Sequence, residues 1–247
     1  MEYGTWAERY RAIQAEFGFP FDREEASAAA LERRLRPADR IGPLDRVRAR
    51  LAGRDAIVVG LAPGAGPPPV WRLPVGGGPP VVIAADGATA DCLRAGLVPA
   101  VVTTDLDGPV PSEVTANGRG SLVVVHAHGD NRAAIERWVP EFPGPLAGSW
   151  AGPPRPALLD VGGFTDGDRA AFLAEAAGAR KILLWGFAFD RVDEAAPADR
   201  DRKLAKLAWA ERLLAELAAT GRCPVRIWRT DGTEVPYPTG KYSTSTR

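Results

Sequence analysis

The chain has 247 residues, and its 31 Lys and Arg residues balance 31 Asp and Glu residues, so its formal net charge is zero. A neutral chain lacks the basic surplus that nucleic acid or an anionic membrane attracts, and we expect neither as a partner. Cys92 and Cys223 are the only cysteines, which excludes a disulfide framework and a thiolate zinc cluster.

No secretory signal is visible at the amino terminus. The opening sequence MEYGTWAERY has no basic stretch followed by an apolar core. No run in the chain reaches the roughly 18 consecutive apolar residues of a transmembrane helix. We therefore expect a cytoplasmic protein.

Residues 1–53 are predicted to form a helical N-terminal region. Four apolar residues recur at helical spacing and form one stripe: Trp6, Tyr10, Ile13 and Phe17. Residues 22–35 are rich in good helix formers and predict a second helix, which Pro37 is expected to end, and residues 44–51 predict a third. Because the aromatic side chains need burial, these helices are expected to pack on the rest of the protein or to form a homodimer.

Short apolar runs alternate with helical patterns from residue 54 to residue 230. The predicted strands are residues 56–61, 81–85, 100–103, 122–125, 157–161, 182–185 and 225–228. The predicted helices between them are residues 89–95, 132–138, 168–177 and 203–219. Most of the strands are continuously apolar, as strands buried on both faces of a sheet are. The pattern predicts an α/β domain whose mainly parallel, Rossmann-like sheet is flanked by helices.

Two Pro- and Gly-rich stretches interrupt this alternation, at residues 63–80 and 140–156. Both are long for loops of a compact domain, so we expect lids, insertions or flexible segments there. Residues 231–247 are expected to be a C-terminal tail whose end, YSTSTR, frays.

Acidic residues follow several of the predicted strands, where ligands bind in parallel α/β sheets. If the third strand extends far enough, Asp105 and Asp107 point the same way and can share a divalent cation, although a D-x-D-G turn that only caps the strand is an alternative. Asp86 and Asp166 follow other strands, and carboxylates crowded together without a cation would repel one another. We predict a metal site of these four residues, with the chemistry that Mg²⁺ prefers beside substrate phosphates.

The loop after the first predicted strand is Gly-rich, yet it matches neither G-x-x-x-x-G-K-[ST] nor G-x-G-x-x-G. Such a turn can still bring backbone N–H groups to a phosphate, although an ordinary Pro/Gly loop is an alternative. The candidate phosphate-binding positions at these strand ends are Gly60, Pro63, Gly64 and Gly87.

Both histidines lie in the segment HAHGDN, residues 126–131. His126, His128 and the neighbouring Asp130 are candidates to orient a phosphate, to act as acid or base, or to bind a substrate ring. The sequence has no G-x-S-x-G, which excludes a serine triad of that type. Zinc would require carboxylate ligands, because a third histidine is missing.

Two lysines lie three residues apart at the start of the last long predicted helix. Lys203 and Lys206 therefore share one helix face. They fit either a solvated surface or the neutralisation of phosphate charge.

Four motifs occur in the order of a known family. Residues 84–108, AADGATADCLRAGLVPAVVTTDLDG, resemble the A-D-G and D-x-D core of thiamine pyrophosphokinases. HAHGDN at residues 126–131, GGFTDGDRAAFLA at 162–174 and KLAKL at 203–207 are more similar to archaeal 6-hydroxymethyl-7,8-dihydropterin pyrophosphokinases of the MptE type. The resemblance covers roughly residues 54–220.

This resemblance implies a thiamine-pyrophosphokinase-like sheet and a transfer of pyrophosphate from ATP, with Mg²⁺, to the hydroxymethyl group of a reduced pterin. AMP would be released, and the product would serve methanopterin or folate-type coenzyme biosynthesis. The family's acidic metal positions fall on Asp86, Asp105, Asp107 and Asp166. Its Thr-Asp pair and its basic helix fall on Thr165 with Asp166 and on Lys203 with Lys206.

Two segments depart from the family pattern. Residues 60–64 read GLAPG where a G-G-G-P-S-like turn is usual, and Ala188 stands where a carboxylate is expected. Three alternatives therefore stay open. They are a thiamine pyrophosphokinase, a D-x-D metal-dependent glycosyltransferase of the flagellin-modification type, and a nucleotide sensor without catalytic activity.

Overall fold

A computed structural model describes residues 3–69, 79–192 and 199–239. Within these ranges the strands are β1 (Asp55–Val59), β2 (Val81–Ala85), β3 (Val101–Thr104), β4 (Leu122–Ala127), β5 (Leu146–Trp150), β6 (Leu158–Leu159), β7 (Lys181–Trp185), β8 (Val225–Trp228) and β9 (Glu234–Pro236). The α-helices are α1 (Tyr3–Phe17), α2 (Phe21–Arg34), α3 (Pro37–Arg40), α4 (Pro43–Leu51), α5 (Ala88–Arg94), α6 (Val110–Gly118), α7 (Arg132–Trp138), α8 (Asp166–Ala176) and α9 (Arg200–Thr220). Residues 70–78 of the first Pro-rich stretch and the YSTSTR end lie outside the described residues.

The strands form one sheet in the order β6-β5-β4-β3-β2-β1-β7-β8-β9. Every neighbouring pair is parallel except β8 and β9. This confirms the predicted α/β fold with a mainly parallel sheet. After β1 the chain first builds the sheet toward β6, and it then returns through α8 to place β7 on the other side of β1. Loops that diverge in this way leave a crevice at the carboxyl ends of the strands.

Two layers of helices cover the sheet. Alternate side chains of β1 point to opposite faces, so Val58 packs with α1, α4, α8 and α9, while Ile57 packs on the side of α5. Helices α2, α6 and α7 cover the β3–β5 part of that second side. Burial of both faces explains why the strands are continuously apolar.

The N-terminal helices pack on the sheet. The four residues of the predicted stripe are buried in the core that α1 shares with α8 and α9. The Trp6 indole Nε1 donates a hydrogen bond to the carbonyl of Ala151, at 3.0 Å. Leu31 of α2 fits where Gly148 of β5 leaves room for it, since a Cβ on Gly148 would lie 3.0 Å from a Leu31 methyl. A homodimer stays a prediction.

Replacing Trp6 by Ala is expected to lower the free energy of unfolding by about 3–5 kcal/mol, because it removes a buried aromatic ring. Urea unfolding followed by circular dichroism measures this change. Ile41→Ala is the control, since Ile41 is 76% exposed, and it should change the free energy by less than about 0.5 kcal/mol. Equal effects of the two substitutions would contradict the packing of α1 on the sheet.

Several elements differ from the sequence prediction. Residues 140–156 were expected to be a long loop, but they contain β5, which is buried and pairs with β4. The helix α6 was missed, and Pro37 begins the short helix α3. The strand expected at residues 157–161 shrinks to the two residues of β6, and β9 lies within the expected tail. Among the described helices, none is long and apolar enough to cross a membrane.

Candidate functional site

A cavity of about 360 Å³ opens at the carboxyl ends of β1, β2 and β7. It lies beside β1, where the chain stops adding strands toward β6 and instead places β7 on the other side of β1. A ligand site is expected at this point in this architecture. The cavity brings together most of the candidate ligand-binding residues: Gly60, Pro63, Asp86, Gly87, Thr165, Asp166, Lys203 and Lys206. Gly64 instead lines a neighbouring cavity beside Trp185 and Trp228.

Glycines allow the backbone to come close at the base of this cavity. A Cβ on Gly60 would lie 2.6 Å from the carbonyl oxygen of Gly186, and Gly186 itself has a φ of +70°. The Gly60 N–H donates to the Trp185 carbonyl at 2.8 Å, which ties the ends of β1 and β7 together. These two turns therefore expose backbone rather than side chains to a ligand.

Three carboxylates meet beside the cavity. One oxygen from each of Asp86, Asp105 and Asp107 lies within 4.8 Å of the others. We call these three residues the acidic trio. The expected extension of the third strand is wrong, because β3 ends at Thr104 and Leu106 adopts a φ of +68°. A left-handed turn, rather than the alternation of a strand, therefore brings Asp105 and Asp107 together.

Hydrogen bonds fix this turn. The Leu106 N–H donates to the Thr104 hydroxyl at 2.9 Å, and the Asp107 N–H donates to Asp105 Oδ1 at 3.2 Å. Asp86 also has a positive φ, +41°, and accepts a hydrogen bond from the Thr104 hydroxyl at 3.2 Å. Left-handed conformations are uncommon outside glycine, and they concentrate at functional sites.

The trio is a region of strong negative potential. Burial and the neighbouring Asp105 charge raise the pKa of Asp107, and burial and Asp105 also raise the pKa of Asp86. Asp105 stays ionised: burial raises its pKa, but the hydrogen bond and charge of His128 outweigh that effect and lower the pKa to about 2. A bound cation would remove the repulsion that these shifts reflect.

The donor set fits a small hard cation. Octahedral Mg²⁺ holds oxygens at about 2.1 Å, so neighbouring ligands lie about 3.0 Å apart and opposite ligands about 4.2 Å apart. The oxygens of the trio lie within 4.8 Å of one another, so rotation of the side chains would bring all three onto one cation. The trio can therefore bind a metal ion through oxygen ligands alone.

Glu113, on α6, lies behind Asp86 and was not predicted as a site residue. Its side chain is fully buried, and burial and the nearby Asp86 charge raise its pKa to about 10. The neutral acid has an O–H that it can donate to the Asp86 carboxylate, so Glu113 can support a metal ligand from behind. No sequence signal was available, because the helix carrying Glu113 was not predicted.

Glu113→Gln is expected to remove a pH dependence of stability. Folded Glu113 keeps its proton, whereas the unfolded side chain releases it near its ordinary pKa of 4.5. The folded protein thus holds one more proton between about pH 5 and 9, and its stability falls with rising pH by up to about 1.4 kcal/mol per pH unit. Urea unfolding in EDTA should show the variant gaining up to about 2.7 kcal/mol on wild type from pH 6 to pH 8. A constant difference would mean that folded Glu113 is ionised.

The segment GGFTDGDR gives its two aspartates different roles. Asp168 is buried, and its carboxylate accepts hydrogen bonds from the Phe164 and Thr165 N–H groups, both at 2.7 Å, and from the Thr165 hydroxyl at 2.5 Å. This capping box starts α8. Asp166 faces the cavity, and its carboxylate pairs with Arg169 Nη1 at 3.0 Å. Asp166 therefore lies near the acidic trio, but its carboxylate is paired with the Arg169 guanidinium.

The two histidines lie beside Asp105, away from the larger cavity. His126 is buried, with Nδ1 3.1 Å from the Ser149 hydroxyl, and burial lowers its pKa well below the usual value. His128 Nε2 lies 3.4 Å from Asp105 Oδ2. Asn131 fixes the turn, since its amide donates to the carbonyls of Asp105 and His126 at 2.8 and 2.7 Å.

A second cleft opens beside these histidines. It is lined by Asp105, His126, His128 and Asp130, and by three residues of the N-terminal region: Tyr10, Phe19 and Glu24. Lys206 lines both this second cleft and the larger cavity. Tyr10 and Glu24 could not be predicted as site residues from the sequence, because only tertiary packing brings α1 and α2 to this edge of the sheet.

The sequence is similar to a protein family and to individual archaeal proteins. The model of the family described as 6-hydroxymethylpterin diphosphokinase MptE-like matches residues 78–194. A 6-hydroxymethyl-7,8-dihydropterin pyrophosphokinase of Methanothermobacter thermautotrophicus is 36% identical over 240 residues, which cover 92% of this chain and 100% of that protein. A protein of the same name from Methanocaldococcus jannaschii is 33% identical over 201 residues, covering 76% of this chain and 80% of the relative.

A likeness to a solved structure is weaker. The structure of a MAf glycosyltransferase from Magnetospirillum magneticum AMB-1 matches with a TM-score of 0.48 and 13% identity. The match covers 74% of this chain and 34% of that one, so the chain spans about a third of that glycosyltransferase's length.

Proposed function

The chain belongs to the MptE-like family of 6-hydroxymethylpterin diphosphokinases, and from this premise we propose that it transfers pyrophosphate from ATP to 6-hydroxymethyl-7,8-dihydropterin. The products are the pterin diphosphate and AMP, and the pterin diphosphate serves methanopterin or folate-type coenzyme biosynthesis. The observation that carries the proposal is the acidic trio, set between a cavity at the carboxyl ends of β1, β2 and β7 and a second cleft.

Mg²⁺ is the cation that this reaction would use. Asp86, Asp105 and Asp107 would hold it, and Asp166 would lie beside it, restrained by Arg169. The bound ion would neutralise charge on the phosphates of ATP and on the departing AMP. Glu113 would keep Asp86 oriented toward the ion.

The larger cavity would hold ATP. Its apolar wall, which includes Phe187 and Leu207, suits an adenine ring. Lys203 and Lys206, on the first turns of α9, would contact the phosphates as cations. The backbone of Gly87, together with the Thr165–Asp166 start of α8, would complete the phosphate site. The other three candidates do not offer a free N–H there: Gly60 donates to Trp185, Pro63 has no N–H, and Gly64 lines the neighbouring cavity.

Transfer then requires that the two substrates are held in line and that one group accepts the proton of the pterin hydroxyl. The hydroxymethyl oxygen attacks the β-phosphorus in line, the new O–P bond forms, and the bond to the bridging oxygen of AMP breaks. The hydroxyl proton passes to a base near Asp105. His126 and Asp130, which line the second cleft, are our candidates for that base, because His128 is already engaged with Asp105.

Acceptor competition tests the proposal. The full chain is incubated with ATP and Mg²⁺ and is offered the dihydropterin or thiamine in parallel, while AMP is quantified. We expect AMP to form with the dihydropterin at a rate at least about a hundredfold above that with thiamine, because a site shaped for one ring leaves polar groups unpaired with another. If AMP forms with thiamine alone, thiamine rather than the dihydropterin is the acceptor. Binding of nucleotide sugar without ATP consumption, or ATP binding without AMP, would overturn the proposal.

A further inference from the structure

The acidic trio separates two spaces that differ in character. Asp86 lines the larger, largely apolar cavity, whereas Asp105 lines the second cleft, and Lys206 lines both. An in-line displacement places the attacking and leaving oxygens on opposite sides of the reacting phosphorus. If the larger cavity holds the nucleotide, the attacking hydroxyl must therefore approach from the side of Asp105, which is the second cleft.

The second cleft contains a carboxylate with free acceptor capacity. Glu24, on α2, is 2% exposed, yet its side chain lines the cleft. Its Oε2 accepts the Tyr10 hydroxyl at 2.7 Å, and its Oε1 accepts the Gly129 N–H at 3.3 Å. A carboxylate has about four acceptor sites, so one site on each oxygen of Glu24 remains for a ligand.

The remaining lining also suits a flat heterocycle. Phe19 and Phe164 both line the cleft, with their ring centroids 6.2 Å apart. Arg202 stacks over Phe19, which holds that ring in place from the outside. Aromatic side chains bind planar rings, while the polar groups of a pocket select among them.

We propose that the second cleft is the acceptor subsite and that Glu24 is its specificity-determining residue, accepting the two adjacent N–H donors of the pterin's 2-amino-pyrimidinone edge. This inference rests on the proposed function. Two parallel hydrogen bonds to one carboxylate fix both the identity and the orientation of a ring. The N-terminal helices, which lie outside the segment matched by the family model, thereby become part of the substrate site.

The cleft must widen to admit the ring. The centres of water molecules can occupy about 50 Å³ of it, within an empty space of about 440 Å³ that includes the mouth. Phe19 and Phe164 are tilted by 56° to each other, so the pterin ring stacks on the face of one of them rather than between them. The widening falls on these partly buried side chains rather than on the sheet.

The test compares two acceptors that differ at the edge facing Glu24. Wild type and Glu24→Gln are assayed with ATP, Mg²⁺ and either 6-hydroxymethyl-7,8-dihydropterin or its 2-oxo analogue, the corresponding dihydrolumazine. The analogue replaces the amino donor by an oxygen acceptor. We expect wild type to favour the pterin by at least about a hundredfold in kcat/KM, and Glu24→Gln to reduce that preference at least about tenfold. The loss should appear in the KM for the pterin, with the KM for ATP unchanged.

Two further variants separate recognition from folding. Glu25→Gln changes the next residue of α2, which is exposed and pairs with Arg155, and it should keep the wild-type preference. Tyr10→Phe removes the hydroxyl that orients Glu24 and should give an intermediate preference with an unchanged KM for ATP.

The outcomes distinguish this inference from the proposed function. If wild type forms AMP with the pterin and Glu24→Gln keeps the same preference between the acceptors, Glu24 does not read the ring and the inference fails alone. The same conclusion follows if both acceptors lose activity equally while the KM for ATP rises, because that pattern indicates general damage. If wild type forms no AMP with the pterin, the proposed function fails and the assignment of the cleft fails with it.

Discussion

Asp105→Asn is expected to lower kcat by about a thousandfold or more while the chain remains folded, because it removes several kcal/mol of charge stabilisation by the metal. Asp105 lies at the centre of the acidic trio, and it contacts both the Asp107 N–H and His128. The lowered pKa of Asp105 means that its charge is present at every pH at which the enzyme would work. Asparagine keeps the shape of the side chain but withdraws that charge.

AMP release at saturating ATP measures this effect, and melting curves with and without Mg²⁺ show its origin. Wild type should be stabilised by Mg²⁺, and the variant should lose most of that stabilisation. Asp45→Asn is the matched control, because Asp45 is an exposed carboxylate that pairs only with Arg48 among the described residues. A variant with activity within tenfold of wild type would exclude Asp105 as a metal ligand.

Lys206→Met is expected to reduce kcat by about a hundredfold, in the range seen when one electrostatic donor is removed from a transition state. Lys206 lines both the larger cavity and the second cleft, and its charge offsets part of the rise that burial and Asp105 cause in the pKa of Asp107. Its ammonium group therefore lies where ATP, the pyrophosphoryl donor, and the pterin acceptor would meet. Methionine keeps the length of the side chain and much of its packing.

Lys203→Met is the comparison for that variant. Lys203 lines only the larger cavity and is more exposed on the same helix face, so its loss should mainly raise the KM for ATP, by about tenfold. Steady-state kinetics with ATP and the pterin varied separately distinguishes the two effects. Equal loss of kcat in both variants, or a larger loss for Lys203, would contradict the position assigned to Lys206.

Periodicity in the sequence was enough to predict most of the sheet. β2 matches its predicted range, and the continuous apolar runs of β4 and β7 correctly indicated burial on both faces. β5 was missed because its sequence, LAGSW, is short, contains glycine, and lies between Pro- and Gly-rich segments. Its identity as a strand depends on pairing with β4 and on Leu31, which packs over Gly148.

The rule that ligands bind at the carboxyl ends of parallel strands pointed to one edge of the sheet. Asp86 and Asp105 were predicted from it, and Lys206 from its place at the start of the last long helix. The structure brings these residues together around the two cavities. The left-handed turn at Leu106 could not be predicted, because leucine rarely adopts that conformation. Glu24 and Glu113 could not be predicted as site residues either, since each lies on a helix whose inward face is defined only by packing.

The zero net charge of the chain conceals a local imbalance. The acidic trio, with Asp166 and Glu113 beside it, concentrates carboxyl groups at one edge of the sheet. Burial, together with the neighbouring carboxylate charges, raises the pKa values of Asp86, Asp107 and Asp166. A neutral protein can keep such a pocket if the compensating charge arrives with the substrate as a metal–nucleotide complex.

The fate of the β-phosphoryl group tests the central claim most directly. The full chain is incubated with Mg²⁺, 6-hydroxymethyl-7,8-dihydropterin and ATP labelled at the β-phosphorus, and the products are separated and counted. Pyrophosphoryl transfer predicts that the label appears in the pterin diphosphate, with one AMP released for each pterin diphosphate formed. Label recovered in ADP, or in unreacted ATP while the pterin stays unmodified, would contradict the account.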